Sequence, residues 1–345
     1  MLPALPAALV GSGEVPWLAS IAGVLPPFHR AGFECRLTAG DAAVDLQQGI
    51  YGIDGEPARF ARMLADAEPL DDVWGSLKRF AERWSTPDDV VQRGVNELWL
   101  ELDAAPGTGQ EPGVTQASPS VFAVLEPAGE GALPLARELL GLLLTGANPR
   151  SNDQMLTRLA AACPPPSRLT HVGIMLGRAV HALRAHVSHL QPSQIREYVD
   201  RVGWSRDTAE LVDAATMLLE HGDWVVLCLD VAEDQVVRIG LECFFGRKHG
   251  IDPRWQPLLR HLVELGLSSP AKADALLQWP GVLTPPNDPA NWPADLVAQG
   301  LIAPDTLGAF DRRLSHVKLT FTPGQAISAK AYFGYVHVWM RGADV

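Results

Sequence analysis

Hydrophobic and polar residues alternate with a period of two in ten short segments of this chain, and the segments come in pairs. The pairs are Gly32–Leu37 with Ala43–Ile50, Val95–Asp103 with Ser120–Glu126, His171–Gly177 with Leu183–Leu190, Trp224–Val231 with Val237–Phe245, and His316–Thr322 with Ser328–Val336. Such alternation marks antiparallel strands with one buried face, whereas strands of parallel sheets read as continuous apolar runs. Between the pairs, apolar residues recur at helical spacing: Glu56–Asp66 and Asp72–Trp84, Leu133–Leu144 and Asn152–Ala162, Pro192–Val202 and Asp207–Glu220, Pro253–Leu265 and Pro270–Leu277. A helix around Val15–Val24 opens the chain, and a last helical stretch follows the Pro- and Trp-rich segment Trp279–Trp292. The pattern predicts an α+β fold built from five ββαα repeats. Its ten strands close into an antiparallel barrel with the helices outside, which leaves no free strand edge. The expectation is one domain over residues 1–345, with a mobile loop at 105–117 that is rich in Gly, Pro, Thr and Gln.

The helices need an apolar surface to cover, so the apolar strand faces should point outward and the polar faces should line a lumen. Outward go Phe33, Cys35 and Leu37; Leu98, Leu100 and Leu102; Leu183, Ala185 and Val187; Val317, Leu319 and Phe321. Inward go Glu34 and Arg36, Trp99, Glu101 and Asp103, Arg184, His186 and Ser188, Arg238, Glu242 and Phe244, His316, Lys318 and Thr320, and Lys330 and Tyr332. Four of the five hairpins thus aim a cation inward: Arg36, Arg184, Arg238 and the pair Lys318 and Lys330, with Arg178 at a hairpin tip. Cations in a low-dielectric barrel are costly unless neutralised. The neutralising partner is either an anionic ligand, for which Arg forks and Lys point charges suit phosphate oxygens, or the inward carboxylates Glu34, Glu101, Asp103, Asp230 and Glu242.

Composition narrows the classes. A chain of 345 residues with 47% hydrophobic and 20% charged residues has ample material for a core, and a net charge of −12 argues against a nucleic-acid surface. The four cysteines, Cys35, Cys163, Cys228 and Cys243, show no CxxC spacing and read as reduced thiols rather than disulfides or a metal site. No stretch is long and apolar enough to span a membrane, and the expectation is a soluble, cytoplasmic protein with no membrane or nucleic-acid partner. Gly11-Ser12-Gly13 lacks a preceding strand, there is no aspartate-rich DDxxD helix, and Asp71-Asp72 and Asp88-Asp89 stand where helix caps are needed. His181, His186 and His189 differ in parity and do not converge on a metal.

Five ββαα units with basic residues spread over the strands resemble the aromatic prenyltransferases of the ABBA or PT-barrel type, including the indole prenyltransferases of secondary metabolism. The last strand, Ala329-Lys330-Ala331-Tyr332, resembles the Lys-x-Tyr elements of that family. The resemblance covers nearly the whole chain and is architectural. It implies that a prenyl diphosphate donor and an aromatic acceptor (indole, phenol or peptide side chain) meet inside the barrel, and that an allylic group passes from one to the other. On that reading Arg36, Arg184, Arg238, Lys318 and Lys330 clamp the diphosphate, Glu101 holds the acceptor and Tyr332 shields the allylic cation. Glu34, Trp99, Trp224, Glu242, Phe244 and His316 line the pocket. No cofactor is implied, and Mg²⁺ is possible but not required. The chain departs from the family in having only four tyrosines, Tyr51, Tyr198, Tyr332 and Tyr335, of which Tyr335 has outward parity. His186 and His316 share the inner face, which keeps two alternatives open. One is an isomerase, cyclase or hydrolase that uses His and Glu as acid and base; the other is a non-catalytic binding protein whose lumen is closed by paired charges.

Overall fold

The computed structural model describes residues 5–25, 28, 30–67, 71–103, 119–126, 131–144, 149–176, 183–204, 207–232, 234–246, 252–287, 292–302 and 305–341. Ten strands close into an antiparallel barrel. The first four hairpins are β1 (Arg30–Arg36) with β2 (Val44–Tyr51), β3 (Val95–Leu102) with β4 (Ser120–Leu125), β5 (Arg168–Ile174) with β6 (Leu183–Ser188), and β7 (Trp224–Ala232) with β8 (Gln235–Phe244). A three-residue strand, β9 (Gly281–Leu283), precedes the fifth hairpin, β10 (Thr306–Phe321) with β11 (Ser328–Arg341). β11 then pairs with β1, Phe333 opposite Phe33, and the ring is complete. The predicted loop at 105–117 and the tip residue Arg178 lie outside the described residues.

The helices are α1 (Val15–Val24), α2 (Glu56–Asp66), α3 (Asp72–Ser85), α4 (Val90–Gly94), α5 (Ala132–Leu143), α6 (Pro149–Ala161), α7 (Pro192–Arg201), α8 (Ala209–His221), α9 (Trp255–Glu264), α10 (Pro270–Gln278) and α11 (Ala294–Ile302). The aspartates do cap: the Asp71 carboxylate accepts from the Trp74 amide at 2.9 Å to start α3, and that of Asp89 accepts from Val91 at 2.8 Å to start α4. No helix among the described residues is long and apolar enough to cross a membrane.

The core lies between barrel and helices. Phe33, Cys35, Leu98, Leu100, Leu227, Leu241 and Leu319 on the outer strand faces are buried together with Phe60, Leu64, Leu77, Phe80, Trp84, Leu258 and Leu262 from the helices. Each such Leu or Phe contributes about 1.5–3 kcal/mol by leaving water. The helices therefore hold the barrel from outside and leave its interior to polar and aromatic groups.

Two strands run where the alternation did not place them. β5 begins at Arg168, and β10 begins at Thr306, ten residues before the predicted His316. Both carry an irregularity, between Leu169 and His171 and between Leu314 and His316. A bulge adds one residue and reverses the parity of the residues beyond it, so a period-two reading stops there. Beyond its bulge the fifth hairpin projects past the barrel, where β9 pairs with Phe310–Arg312.

Candidate functional site in the barrel lumen

One layer of the lumen is a run of rings. Strand register sets Trp224 beside Phe244, Phe244 beside His316, and His316 beside Tyr332. The ring planes are stacked accordingly: centroids lie 5.7 Å apart at 6°, 4.4 Å at 29° and 3.9 Å at 15°. The run ends on β1, where the Tyr332 hydroxyl donates to Glu34 and Lys330 contacts the same carboxylate. Burial of Glu34 favours its neutral form, but Lys330, Tyr332 and Lys318 outweigh that and hold its carboxyl below the usual range. On the opposite wall Trp99 and Phe122 face each other across β3 and β4. Arg30 lies 5.3 Å from the Trp99 ring centroid, and Arg184 lies 5.0 Å from that of Phe122.

The cations sit beside carboxylates. Arg184 and Asp230 form a two-pronged pair at 2.6 and 3.0 Å, and Arg238 stands 3.6 Å from the same Asp230. Lys318 is 2.9 Å from Glu242, Arg36 is 3.0 Å from Asp45, and Arg30 is 2.8 Å from Glu97. Glu101 accepts from the Gln47 amide at 3.1 Å. Carboxylates, one of the two neutralising partners open at the level of sequence, thus stand beside each of these cations. The pairing is incomplete, however. Arg36 Nη1, Arg238 Nε, Ser120 Oγ and Thr320 Oγ1 are buried and have no hydrogen-bond partner among the described residues. All four can donate, and buried donors of this kind are satisfied by ordered water or by a ligand.

A third feature surrounds Cys228 on β7. Lys318 Nζ approaches its sulfur at 3.3 Å, and donor atoms of His186, Cys228 and Glu242 all lie within 4.8 Å of one another. Burial opposes the protonation of His186, yet Cys228 and Glu242 push its pKa up to about 9. Two neighbouring imidazoles behave oppositely. Burial takes His316 down to about 4 despite Glu242, and burial with the charge of His186 takes His171 down to about 3. The lumen therefore holds one imidazolium and two neutral imidazoles at neutral pH.

Every proposed site residue faces this interior or its rim. Glu34, Glu101, Arg184, His186, Glu242, Lys318 and Tyr332 are buried, Arg36, Trp99, Arg238, Phe244, His316 and Lys330 are half-buried, and Trp224 is exposed at 41% where its ring run reaches the rim. Tyr335 packs outside against Phe33 and Phe310, as its parity required. Four lumen groups escaped sequence reading. Arg30 shares the parity of Glu34 and was accessible to that argument, whereas Asp45 faces the same way on β2, where the outward Gln48 blurs the alternation. Cys228 lies in the near-continuous apolar run Trp224–Val231, where no alternation shows, and His171 lies just past the β5 bulge.

No model of a known protein family matches the chain, and no curated protein matches it in sequence. Solved structures match it in fold. The apo form of the prenyltransferase PriB is 15% identical, with a TM-score of 0.56 over 94% of this chain and 91% of that one. The binary complex of PriB with product diphosphate gives 15%, 0.54 and the same coverage. AnaPT from Neosartorya fischeri is 12% identical, with a TM-score of 0.52 over 89% of this chain and 78% of that one. The chain has the PT-barrel fold of the aromatic prenyltransferases.

Proposed function

We propose that the chain is an aromatic prenyltransferase that binds a prenyl diphosphate in its lumen and passes the allylic group to an indole, a phenol or a peptide side chain. The observation that carries this reading is the set of orphaned donors: Arg36 Nη1 belongs to the residue opposite Lys330, Thr320 Oγ1 lies two residues from Lys318 on β10, and Arg238 Nε stands by the Asp230 that Arg184 holds. A diphosphate offers the acceptors these groups lack. The PriB complex with product diphosphate supports the reading, because a protein of this fold accommodates such a group.

Ionisation of an allylic diphosphate places negative charge on the leaving group. Lys318, Lys330, Arg184, Arg238 and Arg36 would stabilise it, and this supply of cations makes Mg²⁺ dispensable. The allylic cation then needs faces rich in π electrons and little water, which the run from Trp224 through Phe244 to Tyr332 and the opposite Trp99 supply. Glu101, positioned by the Gln47 amide, orients the N–H or O–H of the acceptor and takes its proton. The chain works as a soluble cytoplasmic enzyme in this reading. Thermal unfolding with dimethylallyl or geranyl diphosphate, inorganic pyrophosphate or citrate tests the donor, and product mass with tryptophan, a phenol and a tryptophan peptide tests the acceptor. Stabilisation by the allylic diphosphates above that by citrate is expected, with EDTA without effect. Equal response to all four ligands overturns the reading.

One observation favours a second use of the same lumen. The charged His186 and neutral His316 are an acid and a base on one enclosed face, the arrangement an isomerase, cyclase or hydrolase needs. A rate with a natural-product substrate that falls at both pH limits, and no allylic transfer, would support it.

A further inference from the structure

Prenyl transfer gives no task to a buried thiol of the lumen. Cys228 is 2% exposed, and the charged groups that face it come from three other strands: His186 and Arg184 on β6, Glu242 on β8 and Lys318 on β10. Asp230, two residues along β7, is held by Arg184, and His171 on β5 sets its ring 5.1 Å from that of His186. His186, Cys228 and Glu242 are close enough to ligate a metal ion. The Lys318 ammonium lies among them, 2.9 Å from Glu242 and 3.3 Å from the sulfur, and would repel one. The same ammonium suits an anionic sulfur.

The other buried thiols provide the contrast. Burial pushes Cys35 and Cys243 up to about 12, as expected of inert core thiols. Burial acts on Cys228 as well, but Lys318, Arg184 and His186 outweigh it and bring the thiol below its ordinary value. The His186 ring meets Glu242 through Nε2 at 3.7 Å, while its Nδ1 is buried without a hydrogen-bond partner among the described residues. Beside this cluster, the next layer is closed by the rings of Phe244 and His316, stacked on each other between Trp224 and Tyr332.

We propose that Cys228 is a nucleophilic thiolate that adds to an α,β-unsaturated carbonyl compound bound in the lumen, with His186 as the proton donor. A sulfur electron pair forms the S–C bond at the β-carbon, and the alkene π pair moves through the carbonyl to give an enolate. The proton on His186 passes to the enolate, leaving a neutral thioether adduct and a neutral imidazole beside Glu242. Thiolate and imidazolium are consumed together, so the charge of the site balances and no further reactant is needed. Prenyl transfer is not a premise here: the inference requires only the four side chains around the sulfur.

The test uses N-ethylmaleimide as the unsaturated carbonyl and the intact protein, with labelled cysteines quantified by peptide mass. At about pH 6.5, Cys228 is expected to label at least about tenfold faster than Cys35 and Cys243 in the same molecules. The thiolate absorbance that distinguishes the protein from its Cys228→Ser variant is expected to persist at that pH. Two independent variants remove the ammonium. Lys318→Met deletes it, and Gly240→Ala displaces it, because a Cβ at Gly240 would stand 2.4 Å from Lys318 Cε. Both should slow labelling of Cys228 about tenfold. His186→Gln should slow the maleimide more than iodoacetamide, whose substitution needs no proton donor. Labelling of Cys228 no faster than of Cys35, or a thiolate signal that appears only above the ordinary thiol value, overturns the proposal. Equal slowing of both reagents by His186→Gln overturns the role of His186 as donor.

Discussion

The Tyr332 ring lies flat on the imidazole of His316, 3.9 Å between centroids, while its hydroxyl donates to Glu34 on the neighbouring strand. Glu34, at 1% exposure, also holds Lys330. The two ends of this arrangement should respond differently to substitution. Tyr332→Phe keeps the stack and loses one hydrogen bond to a charged group, at a cost of about 1.5–3 kcal/mol. Glu34→Ala leaves the half-buried Lys330 ammonium and the buried Tyr332 hydroxyl without their shared partner, at about 3 kcal/mol or more. Urea unfolding at neutral pH separates them. Equal losses would show that Lys330 reaches water once Glu34 is gone.

Arg184 and Asp230 form the best-aligned ion pair of the lumen, fork to carboxylate, with both side chains under a tenth exposed. A buried pair of this kind is strongly destabilising to break and nearly neutral to replace. Arg184→Met and Asp230→Asn alone should each cost about 3–5 kcal/mol, and the double variant Arg184→Met with Asp230→Leu should recover most of the loss. Additive losses in the double variant would mean that the two side chains contribute separately.

The histidines give stability a pH optimum. His316 and His171 are neutral when folded, with values of about 4 and about 3 against an ordinary 6.5. The unfolded chain binds their protons first, so their contribution is full above about 6.5 and is lost as pH falls through those folded values. Glu34, Asp230 and Glu242, whose pKa values are lowered, lose theirs in the same acid direction. His186 runs the other way: its contribution is full below about 6.5 and is lost as pH rises through about 9. The unfolding midpoint in urea should therefore peak near neutrality. His316→Phe should flatten the acid limb by on the order of 2 kcal/mol, allowing for the partial exposure of the ring, and His186→Gln should flatten the alkaline limb. An acid limb unchanged by His316→Phe would mean that the ring is protonated in the folded state.

Much of this barrel was legible because its hairpins obey period two and its helices period 3.6. Phe33, Cys35 and Leu37 against Glu34 and Arg36 suffice to say which face of β1 meets the helices. The alternation failed where one residue was inserted, at Thr170 and Ser315, and with it went His171 and the outer half of β10. It also failed on β7, where the inward Cys228 and Val226 are as apolar as their outward neighbours. β2 hid Asp45 for a third reason. Its outer face carries the polar Gln48, which donates to the Arg30 carbonyl at 2.7 Å, and blurs the contrast. Parity places residues on a face but does not pair them, so the ion pairs that balance the lumen emerged only with the strand order. The orphaned donors among them are a matter of distances, which composition and spacing do not contain.

Those ion pairs bear on the proposed donor. Lys318 and Arg184 now hold Glu242 and Asp230 well below the usual carboxylate range, against a burial effect that acts in the opposite direction. A diphosphate that draws the two cations toward its own oxygens removes the attraction and leaves burial in charge. The carboxyls then rise and take up protons. Binding that takes up protons tightens as pH falls. Dimethylallyl diphosphate should accordingly bind with uptake of about one proton or more near neutral pH, read by calorimetry in buffers of different ionisation enthalpy. Asp230→Asn, in which one carboxyl cannot titrate, should bind with less uptake. Heats that do not depend on the buffer would mean that the carboxylates keep their cations, and that any diphosphate is held by the orphaned donors of Arg36, Arg238 and Thr320 alone.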